Sequence, residues 1–172
     1  MERTLIIMKP DAVMRGIVGE VLTRFERAGF KIVGVKMLAP NYDQLHKHYE
    51  GIGTLKTRRG EQIFENQLRN MQVGPVIAMI LQGVDAVETV RKMVGATEPK
   101  SALPGTIRGD YAHVSYTRAD GSGVAISNII HASADEKEAL EEIDHWFAGQ
   151  EIFADYQTVH EMFTQPRKKP SK

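Results

Sequence analysis

The stretch ERTLIIMKPDAVMRGIVGEVLTRFERAGFKIVGVK, Glu2 to Lys36, decides the fold. RTLIIMK is a short apolar run closed by Pro10, the pattern of a buried strand. From Ile17 to Ala28 the apolar residues Ile17, Val18, Val21, Leu22 and Phe25 share one helical face, and Gly29 supplies a C′ stop. FKIVGVKML is β-branched and partly alternating, a second strand ended by Ala39-Pro40. The opening unit is therefore β-α-β.

Working outward, Tyr42 to Met71 is polar and mostly helical in pattern, interrupted by GIGTLKTRRG (51–60). PVIAMILQG (75–83) is the most continuous apolar run and reads as a central strand. Asp85 with Glu88 forms a capping-box signal for a helix over 86–94, ended by Gly95. ATEPKSALPGTIRGD (96–110), with two prolines and two glycines, reads as a long loop, and such loops in small domains carry function. YAHVSYTRADGSGVAIS (111–127) has the turn chemistry of a β-hairpin around Asp120-Gly121 and Gly123. A last strand at Asn128-Ile129-Ile130 and a helix opening at Ser133, with Ser133 and Glu136 as its capping box, complete the order. That order implies an α+β sandwich of the ferredoxin-like kind: a four-stranded antiparallel sheet, helices packed on one face, and an extra hairpin inserted at about 111–126. Residues 1–160 are expected to form one domain and 161–172 a flexible tail.

Composition narrows the function classes. The chain has 172 residues, 42% of them hydrophobic, which suffices for one compact core. Lys plus Arg and Asp plus Glu each number 22. This neutral balance offers no basic stripe for nucleic acid and no field toward an anionic membrane. The chain lacks cysteine, which removes thiolate chemistry and suits a reducing compartment. No stretch is long and apolar enough to span a bilayer, and MERTLIIMKPDAV is too short and too soon charged for a signal peptide, so the expected location is cytoplasmic.

Phosphate-compatible groups gather beside the turns: Lys9 in MKPD, Arg91 in TVRKMVG, Thr97 and Arg108 in the long loop, and Asn128 next to His131. Guanidinium forks and ammonium groups match phosphate oxygens, while Thr and Asn add neutral hydrogen bonds. A lone strand-end histidine is more commonly a satisfied buried group; His131 stands inside a phosphate-binding set. His46-x-His48 is a weak metal signal. On periodicity, Glu142 falls off the stripe of Ala139, Leu140, Ile143, Trp146 and Phe147 and reads as exposed.

Taken together, the opening stretch, GPVIAMILQG, GATEPKSALPGTIRGD and NIIHAS resemble the nucleoside diphosphate kinase family over Glu2 to about Tyr156. The resemblance implies transfer of the γ-phosphate of a nucleoside triphosphate to a nucleoside diphosphate, ping-pong, through a phosphohistidine on His131. It places Lys9, Tyr49, Arg91, Thr97, Arg108 and Asn128 at nucleotide-contacting positions, Tyr49 beside His131. Glu142 falls on the carboxylate that orients the histidine, and Ser133 on the serine that follows it. It further implies Mg²⁺ held mainly by nucleotide phosphates, with no metal ligand from protein side chains. Assembly is implied as a homo-hexamer or a tetramer, the Pro99 loop and the extension beyond Trp146 favouring the hexamer. Ile63-Phe64 stands where many members carry the aromatic pair that stacks the base. Ala132-Ser133-Ala134 replaces the usual Gly-Ser-Asp. The rival reading is a non-catalytic ferredoxin-like module that holds a nucleotide with the same cluster.

Overall fold

A computed structural model describes residues 1–164. The chain runs β1 (Glu2–Met8), α1 (Pro10–Met14), α2 (Val18–Arg27), β2 (Lys31–Leu38) and α3 (Tyr42–His46), then a π-helical turn (Lys47–Ile52). It continues through α4 (Leu55–Arg59), α5 (Glu61–Met71), β3 (Val76–Gly83), α6 (Ala86–Val94) and a 3-10 turn (Pro99–Ser101). α7 (Ile107–Tyr111), α8 (Tyr116–Gly121), β4 (Ile130–Ala132), α9 (Glu136–Trp146) and α10 (Glu161–Thr164) follow. The sheet order is β2-β3-β1-β4, and every neighbouring pair is antiparallel. This is the ferredoxin-like sheet that the β-α-β opening implied.

Side chains alternate across a strand, so one apolar run can serve two layers. Ile6 and Met8 of β1 face a core shared with Val21 and Phe25 of α2 and Val90 and Val94 of α6. Leu5 and Ile7 face a second core with Leu45, Phe64, Leu68, Ile143 and Trp146. Helices thus cover both faces of the sheet, not one. The unbroken apolar character of RTLIIM and VIAMIL is the physical reason: a strand with one wet face would alternate. Each fully buried Leu, Ile or Phe contributes about 1.5–3 kcal/mol of transfer free energy. A bulge in β2 leaves Val33 unpaired between Ile32 and Gly34. The Val33 carbonyl accepts from the Phe153 N–H at 2.7 Å, which ties the C-terminal segment to the sheet.

Three local expectations are overturned. Residues 111–126 form no hairpin. Ser115 caps α8 by accepting from the Arg118 N–H at 3.2 Å, and the helix closes near Gly123, which has a φ of 65°. The same Ser and Gly chemistry that suits a hairpin turn also starts and stops a helix. Asp85 caps nothing: it sits at a φ of 46° without a side-chain bond, and the Val87 N–H donates instead to Glu2. Ser133 does not cap α9. Asp135 does, accepting from the Glu138 N–H, while the Glu138 carboxylate accepts from the Ala134 N–H. The reciprocal box survives two places along because the Ser133 hydroxyl is drawn elsewhere. At the C-terminus, Glu161 is buried against Lys31 at 3.5 Å, and the remainder of the expected tail lies outside the described residues.

Candidate active site

β4 is only three residues long and pairs with β1 so that His131 lies opposite Ile7. The chain enters it through a tight turn: the Ile130 N–H donates to the Asn128 carbonyl at 2.8 Å, with Ile129 at a φ of 71°. That is the φ-positive form of the γ-turn, a strained state for a β-branched residue, of order 1–3 kcal/mol. It persists because its surroundings dictate it. The Ile129 N–H donates to Asp11 at 3.0 Å, its carbonyl accepts from the Lys9 N–H at 2.9 Å, and its side chain is fully buried.

His131 Nε2 lies 2.8 Å from Glu142 Oε1, a contact short enough for strong attraction but without the alignment of a regular hydrogen bond. His131 also lines the cavity with its side chain 18% exposed, which leaves Nδ1 as the ring nitrogen free of the Glu142 contact. Glu142 is only 1% exposed and also accepts from the Ser133 hydroxyl at 2.6 Å. Ser133 in turn accepts from the Leu5 N–H of β1 at 3.2 Å. Burial alone would raise the Glu142 pKa, but the His131 charge, the His131 contact, His48 and the Ser133 bond together hold it down at about 2. Beneath His131 lies His48, with ring centroids 4.6 Å apart and edge-to-face. Burial and the neighbouring His131 press the His48 pKa down to about 3, so it is neutral. Its Nδ1 accepts from the Trp146 indole N–H at 3.2 Å. Tyr49 packs on His48 at 4.6 Å, and its hydroxyl accepts from Gln67 at 2.9 Å. Burial raises the Tyr49 pKa, so the phenol keeps its proton.

A cavity of about 350 Å³ opens above the ring, lined by Lys9, Arg91, Thr97, Arg108 and Asn128 among others. Arg108 is buried, and its guanidinium donates to three carbonyls: Asn128 at 3.2 Å, Gly95 at 2.9 Å and Ile130 at 2.6 Å. Burial brings its pKa down to about 10, which still leaves it charged at neutral pH. Lys9 is buried too and donates to the Asn128 side chain at 2.7 Å; burial and Arg108 lower its pKa to about 8. The Asn128 amide donates onward to the Thr97 carbonyl at 2.8 Å. Arg91 reaches the Ala132 and Ser133 carbonyls at 3.4 Å. Buried cations held by neutral acceptors form an anion site in waiting, since a polyanion would supply the missing negative charge. Arg108 stands on the short helix α7, inside the segment read as a loop, and that helix needs its glycine: a Cβ at Gly109 would stand 2.1 Å from the Leu103 carbonyl oxygen.

An imidazole beside a cavity lined by cations suits phosphoryl-transfer chemistry. The nucleoside diphosphate kinase family model matches residues 2–152. The chain belongs to the nucleoside diphosphate kinase family. It is 43% identical over 152 residues to the nucleoside diphosphate kinase of Borreliella burgdorferi, covering 88% of this chain and 90% of that protein. With the Pyrococcus furiosus enzyme it shares 46% over 152 residues, covering 88% and 86%. Among solved structures it resembles a transition-state mimic of the Borrelia burgdorferi kinase with bound vanadate and ADP, with a TM-score of 0.89 and 41% identity, covering 94% of this chain and 95% of that one. A Halobacterium salinarum nucleoside diphosphate kinase in complex with CDP gives 0.79 at 33% identity, covering 96% and 99%.

For a nucleoside diphosphate kinase, the arrangement corrects several sequence readings. Glu142 is buried, not exposed: it shares a face with Ala139, Ile143 and Trp146, while Leu140 is 62% exposed. Phe64 is fully buried in the second core and cannot stack a base, whereas Ile63 lines the cavity. The segment read as a hairpin places Tyr116, Asp120, Val124, Ala125 and Ile126 on the cavity wall. Tyr49 and His131 both pack on His48, and both line the cavity. His48 is the functional neighbour that sequence reasoning missed. A π-helical turn, a frequent mark of functional sites, carries it, but π-helix is not legible in periodicity. His48, His131 and Glu142 bring ligand-type atoms within 4.8 Å of one another. The bonds from Trp146 and Ser133 already occupy that cluster as a hydrogen-bonded relay. The cavity also carries the carboxylates of Asp120 and Glu138 beside its cations, a lining compatible with a divalent cation borne by phosphates.

Proposed function

We propose that this protein moves the γ-phosphoryl group of a nucleoside triphosphate to a nucleoside diphosphate in two half-reactions on His131. The observation that carries the reading is the fixed ring: its Nε2 edge against Glu142, its Nδ1 free of that contact, beside a cavity lined by Arg108 and Lys9. In the first half-reaction the Nδ1 lone pair forms the P–N bond as the bond from Pγ to the β-phosphate oxygen breaks, and the diphosphate leaves with that electron pair. A β-phosphate oxygen of the second diphosphate then attacks phosphorus, and the P–N bond electrons return to the ring. Such a transition state asks for positioning and charge compensation, which Arg91, Arg108, Thr97 and Lys9 provide. The Glu142 carboxylate stabilises the positive charge that grows on the ring, Ser133 and Tyr49 hold the surroundings, and Lys9 with Asn128 orient the sugar end. Mg²⁺ bound to the phosphates would neutralise part of their charge.

The protein acts on nucleoside di- and triphosphates, and a homo-hexamer in the cytoplasm, with a tetramer as the other state, is the assembly and location proposed. No described helix is long and apolar enough to cross a membrane. β2 is an outer strand that exposes Val35 and Met37, which supports self-association; sedimentation measures it. Residues 1–160 act as one catalytic domain. Incubation with γ-labelled ATP and no acceptor should give an acid-labile, alkali-stable phosphoprotein. His131→Ala should lose the label and all exchange while still binding nucleotide. An unlabelled wild type would favour the non-catalytic module, and a labelled His131→Ala would move the nucleophile elsewhere.

A further inference from the structure

Part of the cavity lining is explained by phosphate chemistry, and part is not. Of the two positions at which many family members carry a base-stacking aromatic pair, Phe64 is sealed in the core with the His46 edge packed on it at 5.3 Å, and Ile63 lines the cavity but carries no ring. Beyond the phosphate-compatible set the lining includes Leu55 and Arg59 of α4, and Tyr116, Ala125 and Ile126 of the segment that begins at α8. Tyr49 is the other phenol ring of the cavity, and it is engaged by Gln67 and His48. That leaves Tyr116, half-buried, as the flat aromatic face on offer.

Tyr116 is held firmly. Its N–H donates to Glu98 at 2.9 Å, Glu98 is fixed by the Ser101 hydroxyl at 2.7 Å, and the Lys100 N–H donates to the Val114 carbonyl at 3.1 Å. The first turn of α8 is thus docked on the loop that leads to Arg108. The Arg59 guanidinium lies over the Tyr116 ring, 4.9 Å from its centroid. A guanidinium on an aromatic face marks a surface that accepts flat, delocalised partners. It also leaves no room for a ring between them, since a sandwiched base needs about 7 Å.

We propose that the Tyr116 face covered by Arg59 is the nucleobase platform: the base displaces Arg59 and stacks on Tyr116, which supplies the ring that Ile63 lacks and Phe64 keeps in the core. The inference rests on the nucleotide-binding reading above. It makes the base contact a property of the added segment around α8. Stacking has no hydrogen-bond code and every base has a π-face, so the platform takes purines and pyrimidines alike.

The test is calorimetric titration of the full-length protein with ADP and, as a baseless probe, with inorganic tripolyphosphate. Tyr116→Ala should bind ADP about ten-fold more weakly, within the range of a lost stacking contact, and tripolyphosphate as the wild type does. Tyr116→Phe, which keeps the ring, should bind both normally, and a thermal melt of each variant checks the fold. Unchanged ADP affinity in Tyr116→Ala overturns the platform. Equal loss of ADP and tripolyphosphate also overturns it, placing Tyr116 at the phosphate end instead. Labelling of wild-type protein by ATP, run alongside, separates the two ideas: a labelled wild type with indifferent Tyr116 sinks the platform alone, and an unlabelled one sinks the reading beneath it.

Discussion

Glu142→Gln removes one charge and almost no volume from the centre of the site. In the wild type the carboxylate accepts from Ser133 at 2.6 Å and stands 2.8 Å from His131 Nε2. The amide keeps an oxygen for Ser133, and its NH₂ sits where a carboxylate oxygen now stands beside His131 Nε2, while His48 Nδ1 keeps its bond from Trp146. Stability should therefore fall by only about 1 kcal/mol, or roughly 3 °C in Tm for a chain of this size. Catalysis should suffer more, because the ring becomes positive only as the P–N bond forms. A hydrogen bond to a charged group contributes about 1.5–3 kcal/mol, so phosphohistidine formation should slow by about 10- to 150-fold. Glu142 lies behind the ring and not against the nucleotide, so the KM for ATP should change by less than about threefold. Rapid-quench measurement of the labelled protein reads the step directly. A rate within twofold of wild type, in a variant that melts normally, would refute the claim that this carboxylate supports the developing charge.

Two further outcomes follow from the same geometry. The Glu142 carboxyl sits near 2 in the folded protein against an ordinary 4.5, so the stability that its charge contributes is complete above pH 4.5 and lost as pH falls toward 2. Urea midpoints across that window should drop more steeply for wild type than for Glu142→Gln, and equal slopes would show that the depression is not used. Gly109→Ala would push a methyl group to 2.1 Å from the Leu103 carbonyl, so the backbone around Arg108 must shift. A loss of about 2 kcal/mol or more is expected, with turnover falling further than stability alone explains; an active variant with an unchanged Tm would contradict it.

Three strands were legible by burial, while the last, read at 128–130, lies at Ile130–Ala132 because Asn128 and Ile129 form the turn before it. RTLIIM and VIAMIL are continuous apolar runs bounded by turn residues, and the helix over 18–27 has an apolar face closed by Gly29. The phosphate set was legible as residue types beside turns. Two things escaped for physical reasons. Periodicity assumes that a buried face is apolar, so Leu140 was preferred to Glu142 although the spacing from Ala139 and Trp146 points at Glu142. Capping and hairpin signals use the same few residues, so Ser115 and Gly123 could not tell a short helix from a turn. The choice was made by docking to Glu98, a contact between residues 18 apart that no local pattern records. His48 escaped because its setting depends on a π-helical turn and on Trp146, nearly a hundred residues further on.

The kinked entry to β4 makes the site the weak point of an otherwise well-buried fold. The left-handed Ile129 is a cost of order 1–3 kcal/mol, set against a total that for domains of this size is only about 5–15 kcal/mol. Its restraints come from separate parts of the chain: Asp11 and Lys9 near the N-terminus, and Arg108 on the adjacent carbonyls. When any of these supports slackens, relaxing one residue releases the kink without melting the sheet, and His131 turns with it. Damage anywhere in that frame is thus felt first as lost alignment and only later as lost structure. Catalytic competence is the most fragile property the molecule has.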